Sequence, residues 1–555
     1  MRHLLPWTFT LLLTATVCVG QEASQSGLAL EELRPMVSQP LRAPKAMVAS
    51  VHERATQAGV EILRKGGNAV DAAVAVAFAL AVVHPEAGNL GGSGYMVLRM
   101  ADGKVQAVDY AGTAPAASRP GMFRSNREAN IGYLSVAVPG TPAGMGVAHA
   151  KYGRISWRDC LEPARRLAKD GFPASLRMER ILKLQVPVMK AFRETAQVFL
   201  HGADRPLTQG EKVVQPALAE TIRRMQRRGY REFYEGETAR RIAQDMAAHG
   251  GILTYEDLKN YEVKLTEPLR TRYRDHWILT MPPSSTGGVA VAVALNVLDR
   301  FALGLGMEGS AAARHLFIEA MRRGFDARGI LMREGEEKLD QVLSPEYTKS
   351  AAGSIRLDQA SPEAPLPLSS ETPHTTHFSI IDAEGNMVAN TYTLSGFYGS
   401  QVIAQGTGVL LNNHMSVFSN RAGLASSVAP GKRYPSTMAP TLVLRPDGSP
   451  WMTLGTPGGV TIPSTLVQII SNVIDFKMSL RDAVEFPRIH FSSGSVEAEP
   501  GALVLDVAEK LRSMGHKINP KWRTQGDVSA IAIEEDSGWR IGWADGRRGG
   551  VVAGY

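Results

Sequence analysis

Thr375-Thr376-His377-Phe378-Ser379-Ile380-Ile381-Asp382, followed after a turn by Met387-Val388-Ala389-Asn390-Thr391-Tyr392-Thr393-Leu394, predicts a β-hairpin. Ile380, Ile381, Val388 and Thr393 are strand formers, and Asp382-Ala383-Glu384-Gly385-Asn386 supplies turn chemistry between the two runs. The preceding stretch, residues 361–373, reads Ser-Pro-Glu-Ala-Pro-Leu-Pro-Leu-Ser-Ser-Glu-Thr-Pro, which suits neither a helix nor a central strand. A linker therefore runs into a strand that begins Thr-Thr. This is the layout expected of a chain cut between His374 and Thr375, which leaves a hydroxyl and a free α-amine on one residue.

Upstream of the hairpin, the spacing predicts a strand at 47–50 and a helix over 56–65 ended by Gly66-Gly67. An almost wholly apolar helix over 69–83 follows, capped by Asn68 with Asp71 in its first turn. Gly88-Asn89-Leu90-Gly91-Gly92-Ser93-Gly94 is too glycine-rich to be incidental. It lacks the Lys-Ser/Thr ending of a phosphate loop, and a strand follows where a helix should. It predicts close backbone approach to another strand or to a substrate. Residues 155–250 are expected to be largely helical, and Thr254-Tyr255-Glu256-Asp257 to open a helix through a capping box. A strand at 269–281 and helices over 287–301 and 310–328 complete the first part. Beyond the hairpin come strands at 406–411, 442–444, 452–454, 530–533 and 539–543, with helices over 461–476 and 507–514. Hairpin-paired strands with helices between them argue for a layered α+β body.

The 555 residues are 44% hydrophobic and 21% charged, ordinary for a globular chain, with a formal net charge of +7. The basic residues sit in mixed runs such as Arg223-Arg224-Met225-Gln226-Arg227-Arg228, a solvated helix face without the interleaved aromatics of nucleic-acid binding. Arg2 and His3 precede an apolar run over 4–19 that ends at Gly20. This reads as a secretory signal over 1–20, too short for a span, and predicts a periplasmic or secreted protein with no stable membrane anchor once the signal is removed. Loss of Cys18 with the signal leaves Cys160 alone, so no intrachain disulfide is expected.

Several chemistries are excluded. No Gly-x-Ser-x-Gly elbow, Ser-x-x-Lys or His-Glu-x-x-His occurs, and His374 and His377 are divided between linker and strand, so no metal or other cofactor is expected. A chain-terminal Thr supplies its own base, because its α-amine, with a pKa of roughly 7.7–8.0, takes the hydroxyl proton directly or through water. Thr391 and Thr393 return beside Thr375 on the hairpin, and Thr393 is placed to orient its hydroxyl. Taken alone, all three also read as β-branched strand residues. Gly455-Thr456-Pro457-Gly458-Gly459 entering a helix offers the N–H groups of Gly458 and Gly459 to an oxyanion, or else is a simple strand-to-helix turn.

These motifs together resemble the γ-glutamyltranspeptidase (glutathione hydrolase) family of N-terminal-nucleophile hydrolases. The resemblance runs from Met47 to Tyr555 through Gly66-Gly67-Asn68-Ala69-Val70-Asp71-Ala72-Ala73, His84-Pro85, Gly88-Asn89-Leu90-Gly91-Gly92, Thr375-Thr376-His377-Phe378-Ser379, Thr391-Tyr392-Thr393-Leu394, Leu411-Asn412-Asn413, Thr456-Pro457-Gly458-Gly459 and Ala553-Gly554-Tyr555. It implies a four-layer αββα sandwich and cleavage between His374 and Thr375. The products would be a large fragment over 21–374, ending in the linker of 361–374, and a small one over 375–555, held together as a heterodimer in one fused unit. It further implies Thr375 as nucleophile, Thr393 as its hydroxyl partner, Gly458 and Gly459 as the oxyanion hole, and Ser436 and Thr437 as substrate contacts. Ser395 and His414 occupy further positions of the substrate site.

Two positions depart from the family pattern. Where the family has the Arg that grips the α-carboxylate of a glutamyl group, this chain has Ala111, and where it has the Asp that holds the α-amine, this chain has Val417. The short segment over 418–432 resembles members that lack a lid loop. Three readings follow: a self-processing amidohydrolase or acyltransferase for γ-glutamyl amides, with Arg124 or Arg433 supplying a displaced charge; a relative of the cephalosporin acylases for another acyl amide; or a processed binding protein without catalysis. In the first two, the partner is a small acyl amide or a peptide.

Overall fold

The predicted hairpin forms, with Thr375 opposite Thr393 and Ile381 opposite Met387 in one unbroken antiparallel register. The computed structural model describes residues 39–555 except 203, 363–373, 493 and 520–523. The expected signal and nearly all of the Pro-rich linker lie outside the described residues. Residues 40–555 form one compact unit.

Two seven-stranded antiparallel sheets make up the centre. Their strands, in chain order, are β1 (Leu41–Ala43), β2 (Met47–Ser50), β3 (Ser93–Arg99), β4 (Val105–Tyr110), β5 (Lys264–Thr266), β6 (Leu269–Tyr273), β7 (His276–Thr280), β8 (Thr375–Ile381), β9 (Met387–Thr393), β10 (Thr441–Leu444), β11 (Pro450–Gly455), β12 (Ser529–Ile533), β13 (Arg540–Ala544) and β14 (Val551–Gly554). One sheet runs β14-β2-β8-β9-β3-β4-β5 and the other β1-β13-β12-β11-β10-β7-β6. Helices α1 (Glu53–Arg64), α2 (Ala69–Val83) and α3 (Thr141–Tyr152) cover the outer face of the first, and α4 (Trp157–Asp170) packs on α2. Helices α5 (Thr286–Leu298), α6 (Ala311–Glu334) and α7 (Thr461–Ile474) form the layer on the second. The four layers are the αββα sandwich expected from the sequence.

Strand alternation explains the layering. Met47, Ala49, Tyr95, Val97 and Ile381 join the core that reaches through the second sheet to α5, α6 and α7, whereas Val48, Met96, Leu98 and Ile380 join the core under α1–α4. Helix α2 is buried along its whole length, as its apolar composition requires. Its N-terminus is closed by the Asn68–Asp71 capping box, and the Asp382 carboxylate in the β8–β9 turn accepts the Ala69 N–H at 2.8 Å. Together with a bond from the Tyr392 hydroxyl to the Ala77 carbonyl (2.9 Å), this fixes the hairpin on the helix.

Two expected strands differ. Residues 269–281 are the hairpin β6–β7, because Arg274 takes a left-handed conformation (φ 51°) and reverses the chain. Residues 406–411 make only isolated bridges through Leu410 and Leu411, because Gly406 and Gly408 are left-handed at φ 67° and 69° and interrupt the extended backbone.

Candidate active site

The hairpin register lines up two rows of side chains facing the second sheet. The first begins Thr375–Thr393–Ser93 and ends at Ala111, one step beyond the Gly94–Tyr110 pair. The second, one pleat deeper, is His377–Thr391–Tyr95–Asp109. The glycine run that leads into β3 lets the backbones approach closely: a Cβ on Gly92 would stand 2.2 Å from the Thr393 carbonyl oxygen. The close approach expected of this glycine run is therefore to another strand.

Thr375 and Thr393 are buried. In the intact chain the Thr393 hydroxyl donates to the carbonyl oxygen of His374 at 3.0 Å and accepts the Ser395 N–H at 2.8 Å. Thr393 thus holds the carbonyl of the expected cleavage site. The imidazole of His374 stacks on the ring of Phe397, with centroids 3.4 Å apart and planes 22° from parallel. Ser395, at φ 79°, starts the turn that carries Phe397 there.

The Gly458-Gly459 loop is fastened by its carbonyls. The Thr461 hydroxyl donates to Gly458 O (3.1 Å) and the Thr437 hydroxyl to Gly459 O (2.8 Å). Among the described residues no acceptor takes the N–H of Gly458 or Gly459. Ser436 is buried, its hydroxyl accepting the Met438 N–H at 3.1 Å. Thr437 therefore supports the loop, and Ser436 braces the backbone of its own segment at Met438.

Two histidines in this region are neutral. His377 is fully enclosed, and burial holds its pKa down at about 3. Ser379 passes its own proton to Ser529 O (2.9 Å), so it accepts from His377 Nε2 (3.0 Å), and His377 Nδ1 then accepts from the Thr391 hydroxyl (2.8 Å). His414 is likewise held at about 3 by burial, partly offset by the Thr393 backbone. It stacks on Tyr434, and its Nδ1 is 3.3 Å from Ser93 Oγ. Both imidazoles are more basic in the unfolded chain, so their contribution to stability is complete above about pH 6.5 and drains away as pH falls toward about 3. We expect the loss of stability in urea between about pH 6 and 4.5 to be shallower in His377→Asn than in the parent, by up to about 1.4 kcal/mol per pH unit. Parallel curves would contradict a neutral His377.

Ala111 and Val417 are buried and apolar. Of the two arginines considered for a displaced charge, Arg124 is exposed and paired with Glu128 at 2.8 Å. Arg433 comes to the end of β4, its Nη1 lying 3.1 Å from Asp109 Oδ1 and 2.8 Å from the Ala111 carbonyl. Its Nη2 donates to Glu262 O at 2.6 Å, and Asp109 also accepts from Ser284, which contacts the Tyr95 hydroxyl. The charge of Arg433 is thus matched by Asp109. A cavity of about 1010 Å³ is lined by Arg433, Ser284, Tyr261 and Thr113 among others, and Thr375 does not line it. Among the described residues, two clusters of potential metal ligands, Asp71–His149–Cys160 and His315–Glu319–His516, include no residue of the hairpin. Sequence reasoning missed Phe397 and the Tyr95–Ser284–Asp109 chain. The Tyr95–Asp109 pair could have been found from strand alternation once the pairing was known, whereas Ser284 reaches it from outside the sheet.

Comparison with known proteins bears on this arrangement. The family model for gamma-glutamyltranspeptidase matches residues 55–555. The glutathione hydrolase proenzyme of Escherichia coli (strain K12) is 35% identical over 545 residues, covering 94% of this chain and 93% of that protein. The acylase ACY 1 proenzyme of Pseudomonas sp. (strain V22) is 33% identical over 512 residues, covering 90% and 91%. The crystal structure of cephalosporin acylase from Bacillus halodurans superimposes with a TM-score of 0.85 at 28% identity, covering 94% of this chain and 98% of that one.

Proposed function

Because the chain belongs to the gamma-glutamyltranspeptidase family, we propose that it is a self-processing enzyme that cleaves γ-glutamyl or related acyl amides through an ester on Thr375. The observation that carries this reading is the hydroxyl of Thr393 on the His374 carbonyl, directly before Thr375. In processing, Thr375 Oγ bonds to that carbonyl carbon, the His374–Thr375 C–N bond breaks, and the hydroxyl proton ends on the released α-amine. Water then opens the ester, leaving the large fragment with a carboxylate. In turnover the same oxygen attacks the substrate amide and the α-amine takes the proton. The α-ammonium passes that proton to the substrate nitrogen as its C–N bond breaks and the substrate amine leaves, and water or a second amine then releases the acyl group from Thr375. Gly458 and Gly459 would supply the oxyanion donors. No cofactor enters this chemistry. The proposed leader over 1–20 would deliver the enzyme outside the cytoplasm, and no described helix is long and apolar enough to cross a membrane.

A second reading, an acylase for a non-γ-glutamyl acyl group, is favoured by one feature. Ala111 and Val417 offer no charge, and Arg433 is already committed to Asp109. A site that hydrogen-bonds a polar head group discriminates by about 10⁴-fold or more, and that discrimination goes when the contacts go. The two readings separate on kcat/KM for γ-glutamyl and glutaryl p-nitroanilide. A higher value for γ-glutamyl supports the first, and an equal or higher value for glutaryl supports the second.

A further inference from the structure

We propose that Phe397 is an acyl-recognition residue, and that the enzyme prefers acyl groups carrying a planar ring two carbons from the scissile carbonyl. The inference rests on Thr375 being the nucleophile and goes beyond that reading in naming the acyl group.

Processing and turnover pass through the same kind of ester. When Thr375 Oγ bonds to the His374 carbonyl carbon and the C–N bond breaks, the product is an ester of Thr375 whose acyl part is the His374 residue. An acyl-enzyme formed from a substrate is the same ester with a different acyl part. The chain that precedes the cut is therefore the first acyl group the site accommodates, and its side chain reports what that part of the site accepts. Here the side chain is an imidazole, attached through Cα and Cβ to the carbonyl, and it lies flat on Phe397. Once the ester is hydrolysed, His374 departs with the large fragment and the Phe397 face becomes free.

The platform is held in place before any substrate arrives. The Gly396 N–H donates to Asn413 Oδ1 (2.8 Å) and the Tyr398 N–H to the Glu86 carbonyl (3.1 Å), fixing the chain on both sides of Phe397. The Phe397 carbonyl itself accepts from Gln401 Nε2 at 2.6 Å. Asn413 in turn donates to the Asn130 carbonyl at 3.0 Å. Phe397 is only partly buried, in contrast to its neighbours Ser395 and Tyr398, so one part of the ring faces outward. A rigid, half-exposed aromatic face is suited to offset stacking with a planar group, and little ordering has to accompany binding.

The test compares 3-phenylpropanoyl and hexanoyl p-nitroanilides, which share a leaving group, on the mature wild-type enzyme, Phe397→Leu and Phe397→Trp. We expect wild-type kcat/KM to favour the phenylpropanoyl substrate by about tenfold. Phe397→Leu should lose most of that ratio while retaining activity on the hexanoyl substrate, and Phe397→Trp should keep it. A ratio unchanged in Phe397→Leu overturns the proposal, as does a wild-type kcat/KM that is equal for the two substrates or favours the hexanoyl one. Intact mass separates a variant that has not self-cleaved from one that has lost selectivity. For an uncut variant, competitive inhibition of the wild type by 3-phenylpropanoate against hexanoate decides, equal inhibition counting against the proposal. If wild type cleaves γ-glutamyl or glutaryl p-nitroanilide but neither of these amides, the acyl preference fails; if Thr375→Ala cleaves its amides as well as wild type does, it is the assignment of Thr375 that fails instead.

Discussion

Thr375→Ala is expected to yield a single chain running through the His374–Thr375 bond and to reduce amide hydrolysis by at least about 10³-fold. The two effects have one cause. The carbonyl of His374 is held by the Thr393 hydroxyl, so the electrophile stays in place in the variant, but no oxygen is left to attack it. Without the cut, the α-amine remains an amide nitrogen and has no basic lone pair to give, so the variant loses nucleophile and base together. Thr375→Ser separates the chemistry from the fold, because it keeps the oxygen and removes only a methyl group. It should cleave itself and turn over substrate, more slowly than the parent. Intact mass gives the first result and initial rates on an acyl p-nitroanilide the second. Two fragments from Thr375→Ala, the smaller beginning at residue 375, would remove Thr375 from the mechanism.

The parts of this site that were legible in the sequence are those whose signal is periodic or compositional. The hairpin follows from alternation around a polar turn, and α2 from an apolar run behind Asn68 and Asp71. The glycine run before β3 showed that a backbone comes close but not which one, because glycine records only that a Cβ has no room. The β6–β7 turn was hidden because Arg274 takes the left-handed conformation without being a turn former. Phe397 was invisible for a related reason. Gly396 and Gly399 mark a turn, but Ser395, Tyr398 and Gln401 also have positive φ without being glycine, so the path of the segment has no local signature and the direction of its aromatic ring depends on tertiary bonds. The pairing of Arg433 with Asp109 spans 324 positions, and nothing local distinguishes it from a charge that could grip substrate. This matters for function. The sequence showed that two family charges are replaced by Ala111 and Val417, but only the tertiary arrangement shows where the remaining positive charge is committed.

Gly458→Ala is expected to separate self-cleavage from turnover. The Gly458-Gly459 loop has two N–H groups that no acceptor takes among the described residues, while its carbonyls are tied back by Thr461 and Thr437. Gly458 sits at φ 146°, where an L side chain is strained, and an added Cβ would stand 2.3 Å from Thr461 Oγ1. Relief requires the loop to rotate or the Thr461 hydroxyl to move, and either displaces the N–H from its direction. Losing one such donor costs about 10²–10³-fold in kcat. Self-cleavage draws on a different group, because the oxygen that becomes negative there is the His374 carbonyl, which already has the Thr393 hydroxyl. The variant should therefore arrive as two fragments with kcat reduced by about 10²-fold or more and KM little changed. Thr393→Val should show the converse order, slowing the appearance of fragments first. Thr437→Val, which frees the Gly459 carbonyl but leaves both N–H groups, should cost less than Gly458→Ala in kcat. Equal loss of processing and turnover in Gly458→Ala would mean that one oxyanion site serves both reactions, and would place the Thr393 hydroxyl outside the processing step.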